Sequence, residues 1–330
     1  MKLPALLALL AFLFATPPSA RCEDAITLRQ QFTVGKRYEF GMKMVQESNV
    51  SFGGHEMEQK MSMAMKYSMT VRQHEDGKRK RVALRYGRVA MEVNTAGQTM
   101  SYDSDKKDAG ANAGPFESLG LLVDKEMIMV LDEKDQMLDV ENFDAVTKAL
   151  SAGPAGKVIG QMFNKSSMKE LFQGSLLRSM PDHPVKPGDS WPLSYKASMG
   201  QMGSMAVKGT YTYNKPVQEA EHRCALIGFA STLEMDMDFG KIAGAAAGEN
   251  GAAASEMIKK MDMKVTDSAM TGKVTFDLEL GMARTTEVAT TMKMTMKLPK
   301  EANLPGGASE MTMPIKQTIS VTLLSTEDAK

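Results

Sequence analysis

The strict alternation of side-chain character between Met57 and Val71 constrains the fold of this chain more than any other feature. The odd positions are mostly apolar: Met57, Gln59, Met61, Met63, Met65, Tyr67, Met69 and Val71. The even positions are mostly polar: Glu58, Lys60, Ser62, Ala64, Lys66, Ser68 and Thr70. A period of two residues predicts a β-strand with one buried face and one face in water.

The same alternation recurs in four further segments, which begin at Phe229, Val274, Val288 and Met311. Strands with a single apolar face are typical of antiparallel sheets, because parallel sheets are buried on both faces. Short turns support this pairing, among them Asp76-Gly77 and the turn at Gly281. We count about ten or eleven strands, many longer than the usual ~6 residues. The sequence therefore predicts a mainly β protein with one large, curved antiparallel sheet or half-barrel.

The middle of the chain has a different, helical periodicity. Apolar residues recur at helical spacing between Asn142 and Met180, and Ser166 or Ser167 is a suitable N-cap for the last helical piece. We predict a helical insertion at about residues 141–180 that covers one apolar face of the sheet. Residues 23–330 then form a single β-rich domain of α+β type.

The N-terminus has the pattern of a secretory signal peptide over residues 1–22. Lys2 is followed by an apolar run from Leu3 to Phe14 and by small residues up to Ala20. This run is too short for a membrane-spanning helix, which needs ~20 residues. Cleavage after Ala20 leaves Cys22 free to pair with Cys224, whereas cleavage after Cys22 leaves Cys224 alone. We expect a secreted protein, in the periplasm or outside the cell, that does not span the membrane.

Charge gives no sign of a nucleic-acid partner. The 40 basic and 40 acidic residues balance, and their signs are mixed along the chain. The basic run from Lys78 to Arg81 is interpreted as a solvated hairpin turn rather than a site for polyanions.

No catalytic or cofactor motif is recognisable in the sequence. It lacks a nucleophile elbow, a His-Glu-x-x-His helix, a Cys-x-x-Cys pair and a complete phosphate loop. The four histidines (His55, His74, His183 and His222) are far apart in predicted turns. We therefore predict a protein that is not an enzyme, with no catalytic residue, no His-rich metal site and no cofactor. A cleft joining Asp182, His183, Asp189 and Trp191 would favour an enzyme instead.

Methionine is the compositional anomaly, with 31 residues against 12 phenylalanines. The candidates for a ligand-facing surface are Met57, Met61, Met63, Met65, Met69, Met235, Met237, Met292, Met294, Met296, Met311 and Met313. Methionine can replace leucine in a core, or form an adaptable surface for a lipid or another apolar ligand. The alternative function is Cu(I) binding, since thioethers favour that ion. It requires convergence of at least three thioethers, for example Met61, Met63 and Met65 beside Met292, Met294 and Met296.

A set of glycines and one tryptophan carries a resemblance to a known family. These residues are Val185-Lys186-Pro187-Gly188-Asp189-Ser190-Trp191, then Gly209, Gly272 to Asp277, and Gly281. With them the chain resembles a family of secreted bacterial proteins and lipoproteins known only as a domain of unknown function. The resemblance implies no activity, and its order of elements is similar to the half-barrel of periplasmic lipoprotein carriers. Arg21 stands before Cys22, where the lipoprotein members have a small residue.

Overall fold

The structure is a computed structural model, and it describes residues 24–52, 55–106, 114–150, 165, 169, 180–198, 203–237, 262–297 and 310–329. They include a 3-10 helix (Gly114–Leu122) and the α-helix α1 (Phe143–Leu150). The strands are β1 (Lys36–Phe52), β2 (His55–Gln73), β3 (Lys80–Thr95), β4 (Gln98–Asp103), β5 (Glu126–Leu131), β6 (Met137–Glu141), β7 (Ser190–Ser198), β8 (Gly203–Glu219), β9 (His222–Met237), β10 (Asp262–Asp277), β11 (Met282–Lys297) and β12 (Glu310–Asp328).

All of these strands form one twelve-stranded sheet. Its order is β6-β5-β3-β2-β1-β12-β11-β10-β9-β8-β7, and β4 pairs with β3 off this path. The ladders between named strands are antiparallel. The prediction of one large antiparallel sheet is thus confirmed. The sheet is not closed, because its order ends at two separate strands, β6 and β7.

The first and last strands pair with each other in the middle of the sheet. β1 and β12 are linked from Lys36 opposite Asp328 to Ser51 opposite Thr312, with one irregularity next to Phe40. Sequential hairpins then extend outward on both sides, through β2 and β3 on one side and through β11 back to β7 on the other. The pairing of β1 with β12 therefore determines which other strands become neighbours.

The two faces of the sheet differ in polarity. Residues opposite each other on paired strands have their side chains on the same face. Met44 lies opposite Met63 on β2 and Ile319 on β12, whereas the adjacent Lys43 lies opposite Ala64 and Ser320. We call the side that carries Met44 and Met63 the methionine face, and the side that carries Lys43 the polar face.

The buried core lies on the methionine face in two clusters. One cluster spreads over β7 to β11 around Trp191, Tyr211, Phe229 and Phe276. The other lies over β1 to β3, β5 and β6, around Tyr38, Val82, Met129 and Leu131.

The segment before β1 joins these two clusters. Leu28 is buried in the first cluster, and Phe32 is buried in the second. The backbone of Ile26 exchanges hydrogen bonds of 2.9 and 2.8 Å with Val185, and the amide of Gln31 donates to the carbonyl of Gly281 at 2.9 Å. Residues 24–35 therefore cover the sheet where β10 turns into β11.

The predicted helical insertion at about residues 141–180 is not confirmed, and the one α-helix described in this range is α1. Phe143 and Val146 of α1 are buried in the second cluster, at the end of the sheet where β5 and β6 lie. Apart from residues 165 and 169, the predicted stretch from 151 to 179 lies outside the described residues.

An aromatic row explains one glycine of the family resemblance. Trp191 stacks on Tyr211 with 5.7 Å between ring centroids, and Tyr211 meets Phe229 edge-on at 5.7 Å. Phe229 lies opposite Gly272 on β10. A Cβ atom on Gly272 would lie 2.4 Å from the Phe229 ring and 2.3 Å from the Glu287 carbonyl oxygen. The row thus requires a residue without a side chain at position 272.

Candidate functional site

Two candidate methionines of β2 lie opposite methionines of neighbouring strands. Met65 lies opposite Met42 on β1, and Met63 lies opposite Met44 on β1 and Met91 on β3. Opposite residues on one face have Cβ atoms about 5 Å apart. These side chains therefore form a continuous apolar patch three strands wide.

A second group lies on β11 and β12. Three positions of β11 are opposite apolar positions of β12: Met292 opposite Ile315, Met294 opposite Met313, and Met296 opposite Met311. On β9, Met235 lies opposite Met205 of β8, and Met237 ends the strand opposite Gly203.

The convergence of β2 and β11 methionines that the alternative copper function requires is not present. β1 and β12 lie between β2 and β11 in the sheet. With strands about 4.8 Å apart, the three steps from β2 to β11 alone put about 14 Å between the methionines of the two strands. The alternation in each strand assigns side chains to a face, but it does not say which strands pair, and the pairing of the two terminal strands was not predicted.

Burial distinguishes these methionines from those of the core. Met127, Met129, Met137 and Met282 are almost fully buried. The candidates with a described exposure are only half-buried: Met57, Met61, Met63, Met65, Met69, Met235, Met292, Met294, Met296, Met311 and Met313. They form an apolar surface between core and solvent, and their role in binding a ligand remains a prediction.

The four central strands present no charged side chain on the methionine face over the stretches Tyr38–Val50, Met57–Val71, Thr286–Met296 and Met311–Leu323. The register places the Lys, Arg, Asp and Glu residues of these stretches on the polar face. The exposed pairs Lys60–Glu47 and Lys273–Glu287, at 2.9 and 3.1 Å, belong to that polar face. The methionine face is therefore neutral as well as apolar.

Two glutamines interrupt the methionine face at its centre. Gln46 lies opposite Met61 on one side and Gln317 on the other. The Gln317 amide nitrogen donates to Gln46 Oε1 at 3.4 Å and to Met44 Sδ at 3.3 Å. We did not predict this amide pair. Its signal in the sequence is a glutamine at a position where the alternation requires an apolar residue.

A polar groove of about 590 Å³ crosses β1 to β3 and β12. Arginines in its lining are paired with acidic neighbours: Arg37 with Glu39 at 2.8 Å, Arg72 with Glu126 at 3.5 Å, Arg85 with Asp124 at 2.7 Å, and Arg88 with Asp103 at 2.8 Å. Because these charges neutralise each other in place, the groove does not offer a concentrated charge to an ionic ligand.

A buried carboxylate organises the turn between β10 and β11. The side chain of Asp277 accepts hydrogen bonds from the backbone amides of Glu279 and Leu280, both at 2.9 Å, and from Arg284 Nη1 at 3.0 Å. His222 Nδ1 lies 3.1 Å from the same carboxylate. This cluster combines residue types that are common in catalysis, but its hydrogen bonds hold the turn.

Cys224 lies opposite Asp277 in the ladder, and its thiol is free and buried. Burial, together with the charge of Asp277, raises the pKa of Cys224 to about 11. The thiol is therefore protonated at neutral pH, unlike a nucleophilic thiolate. Cys22, which can pair with Cys224 only if cleavage follows Ala20, lies outside the described residues.

The residues considered for a cleft lie in three different environments. Asp182 Oδ1 and His183 Nδ1 lie 2.9 Å apart at the surface. Asp189 accepts a hydrogen bond from the backbone amide of Lys186 at 2.7 Å, within a turn. Trp191 is buried in the aromatic row.

Within the part of the chain that the structure describes, no three His, Cys, Asp or Glu residues come together in a way that could hold a metal ion.

Comparison with known sequences identifies the family of the chain. The sequence profile of DUF6263, a family of unknown function, matches residues 76–301. The chain belongs to this family. The matched range runs from the β2–β3 turn to the residues after β11, so it includes most of the sheet of this DUF6263 member. No curated protein matches the chain in sequence.

Solved structures show only weak likeness to this DUF6263 protein. A structure described as lipid-protein interactions in lipovitellin has a TM-score of 0.46 at 11% identity, over 91% of this chain and 26% of that one. The chain thus spans about a quarter of the lipovitellin chain. An outer membrane channel from Pseudomonas putida F1 has a TM-score of 0.18 at 10% identity, over 88% of this chain and 97% of the channel. A DUF1329 family protein from Desulfovibrio piger has a TM-score of 0.16 at 7% identity, over 86% and 84%. At these scores, none of the three carries an argument about the DUF6263 chain.

Over the described ranges, no helix has both the length and the hydropathy that a membrane span requires.

Proposed function

We propose that this DUF6263 protein is exported, has no catalytic activity, and binds an apolar ligand on its methionine face. The observation that carries the proposal is the half-burial of the candidate methionines on a face without charge. Met63, with Met44 and Met91 on either side, lies at the centre of the patch on β1 to β3.

Methionine suits this role because of its shape and chemistry. Its side chain is unbranched, flexible and polarisable, so a surface of methionines can adapt to apolar ligands of different shapes. Ligand sites are usually apolar surfaces with few polar groups. The methionine face has this composition, with the Gln46–Gln317 pair as its polar element.

The absence of catalysis is supported by the contacts of the reactive groups. Asp277 and His222 hold a turn, the Cys224 thiol is buried, and Asp182 pairs with its neighbour His183. Each of these groups has a structural partner or environment that accounts for its position.

Titration with a fluorescent lipid tests the proposal. We expect saturable binding of a pyrene-labelled diacylglycerol to the purified protein. Met63→Lys, which places a charge in the centre of the methionine patch, should weaken that binding at least tenfold. The matched control is Ser62→Lys, one residue away on the polar face and opposite Glu92, which should bind like the wild type.

Circular dichroism should show that both variants keep the sheet. Absence of saturable binding to the wild type would contradict the proposal. Equal loss of binding in both variants would also contradict it, because the site would then not lie on the methionine face.

Export is proposed from the N-terminal pattern of Lys2 and the apolar run that follows it. N-terminal sequencing of the protein recovered from the cells that produce it tests this part. A start at Arg21 places the cleavage after Ala20, and a start at Glu23 places it after Cys22. Recovery of the chain with Met1 in the cytoplasm would contradict export.

A further inference from the structure

The polar pair at the centre of the methionine face narrows the chemistry of the proposed ligand. Gln46 and Gln317 belong to the two terminal strands β1 and β12, which pair in the middle of the sheet. Met61 on β2 and Thr290 on β11 continue the same row on either side. The pair is therefore a small polar island with apolar strands around it.

The amides of this pair keep hydrogen-bonding capacity beyond their mutual contact. A primary amide has two N–H donors and a carbonyl oxygen with two lone pairs. One donor of Gln317 is directed to Gln46 Oε1 and Met44 Sδ. The donors of Gln46 and the carbonyl oxygen of Gln317 are not used in this contact. They can bind a group that accepts hydrogen bonds, donates them, or does both.

Short hydroxyl side chains on the same face lie next to the pair. Ser48, two residues after Gln46, is 7% exposed, and Thr290, opposite Gln317, is 6% exposed. Buried polar groups such as these are costly when they face an apolar neighbour, and they are stabilised when they form hydrogen bonds. The island thus selects for a polar group on the ligand at this level of the sheet.

The charge distribution excludes an ionic group at the same position. Over the stretches of the four central strands named above, the methionine face has no Lys or Arg that could pair with a carboxylate or phosphate, and no Asp or Glu for an ammonium group. An ion placed against this face would lose hydration without gaining a partner.

We infer that the ligand is an uncharged amphiphile, a neutral lipid whose ester, amide or hydroxyl group hydrogen-bonds to Gln46 and Gln317 while its chains lie along the methionines. This inference rests on the proposed function. The stretch from Met57 to Met65 offers a chain about 27 Å of strand length. This stretch reaches about equally far on both sides of the Gln46–Gln317 pair, since its middle residue, Met61, lies opposite Gln46.

The amide pair has a second, structural role to consider. A polar pair in an apolar setting also favours one register of the strands that carry it. A purely structural pair would leave the order of ligand affinities unchanged when it is removed. The test therefore compares ligands as well as variants.

Three competitors with the same chain length separate the contribution of the apolar chain from those of an ester group and of a charged carboxylate. Hexadecane, methyl palmitate and ionised palmitate at pH 8, delivered from cyclodextrin, displace the fluorescent probe N-phenyl-1-naphthylamine from the full-length protein. For the wild type we expect methyl palmitate to compete at least tenfold more strongly than hexadecane and than palmitate.

The double variant Gln46→Leu/Gln317→Leu should bind hexadecane as well as the wild type does, and it should lose the advantage of the ester. Gln218→Leu, on β8 and exposed, is the control for a surface glutamine and should keep the wild-type order. If the double variant does not fold, the order of the three competitors on the wild type decides the inference.

The outcomes are distinguishable. Binding of no competitor and no probe overturns the proposed function together with this inference. Binding of palmitate as strong as that of the ester, or of hexadecane as strong as that of the ester, overturns the inference and leaves the apolar site. An ester advantage that persists in a folded double variant shows that Gln46 and Gln317 are structural and also overturns it.

Discussion

The guanidinium of Arg284 donates a 3.0 Å hydrogen bond to the carboxylate of Asp277, whose side chain is fully buried. The two residues hold the turn between β10 and β11 against the start of β9, where His222 lies 3.1 Å from the same carboxylate. This turn also holds the segment before β1, since the carbonyl of Gly281 accepts a hydrogen bond from the backbone amide of Gln31. Loss of the carboxylate charge should therefore destabilise a large part of the fold.

Asp277→Asn should lower the free energy of unfolding by about 3–5 kcal/mol, because it leaves buried donors without their charged partner. Urea denaturation followed by circular dichroism measures the change. The control is Glu287→Gln, which breaks the exposed pair with Lys273 and should cost less than about 1 kcal/mol. Equal effects of the two variants would show that the buried carboxylate has no special role.

Gly272→Ala should destabilise the protein by about 1–3 kcal/mol through overpacking. The new Cβ would meet the Phe229 ring and the backbone of β11. Thermal unfolding, together with the near-ultraviolet circular dichroism of Trp191, reports both the loss and the shift of the aromatic row. Gly87→Ala is the control, since its Cβ would come no closer than 3.8 Å to the nearest atom. A variant Gly272→Ala as stable as wild type would contradict the packing of this row.

Met61, Met63 and Met65 replaced together by leucine should leave the fold intact, at a cost under ~1.5 kcal/mol per site. If these residues are only an apolar surface, the triple variant should also show no loss of Cu(I) affinity in competition with a chromogenic chelator. A wild type that withdraws Cu(I) stoichiometrically, and a triple variant that does not, would favour the copper function instead.

Ionisation of the Tyr67 hydroxyl should make the protein less stable at alkaline pH. Burial, with a smaller effect of Tyr86, raises the pKa of Tyr67 from 10.0 to about 12. Because the folded-state value is above the unfolded one, its contribution is complete below about pH 10 and is lost as the pH rises toward 12. The loss amounts to about 2 kcal/mol.

Urea denaturation between pH 8 and 12 checks this dependence. Tyr67→Phe should reduce the decline above pH 10 by that amount, relative to its own stability at pH 8. An identical decline in wild type and variant would contradict the assignment.

Much of the fold was predictable because a period of two residues is a local property. The alternation in Met57–Val71 and in the segments after Phe229, Val274, Val288 and Met311 corresponds to β2, β9, β10, β11 and β12. The turn at Asp76-Gly77 was also predicted, and it joins β2 to β3.

Strand pairing was not predictable, because it depends on contacts between distant parts of the chain. The pairing of β1 with β12 places Gln46 beside Gln317, which are far apart in sequence. It also separates β2 from β11, which is why their methionines do not converge as the alternative copper function requires. The alternation could assign each methionine to a face, but the polar pair at the centre of that face emerges only from the register.

The central claim is that the methionine face holds an apolar ligand, and native mass spectrometry of the gently purified protein tests it most directly. We predict a bound species of lipid mass, released on denaturation and identified in the organic extract as an uncharged lipid. A spectrum with only the mass of the mature chain, from a preparation whose extract contains no lipid above the buffer blank, would contradict the claim.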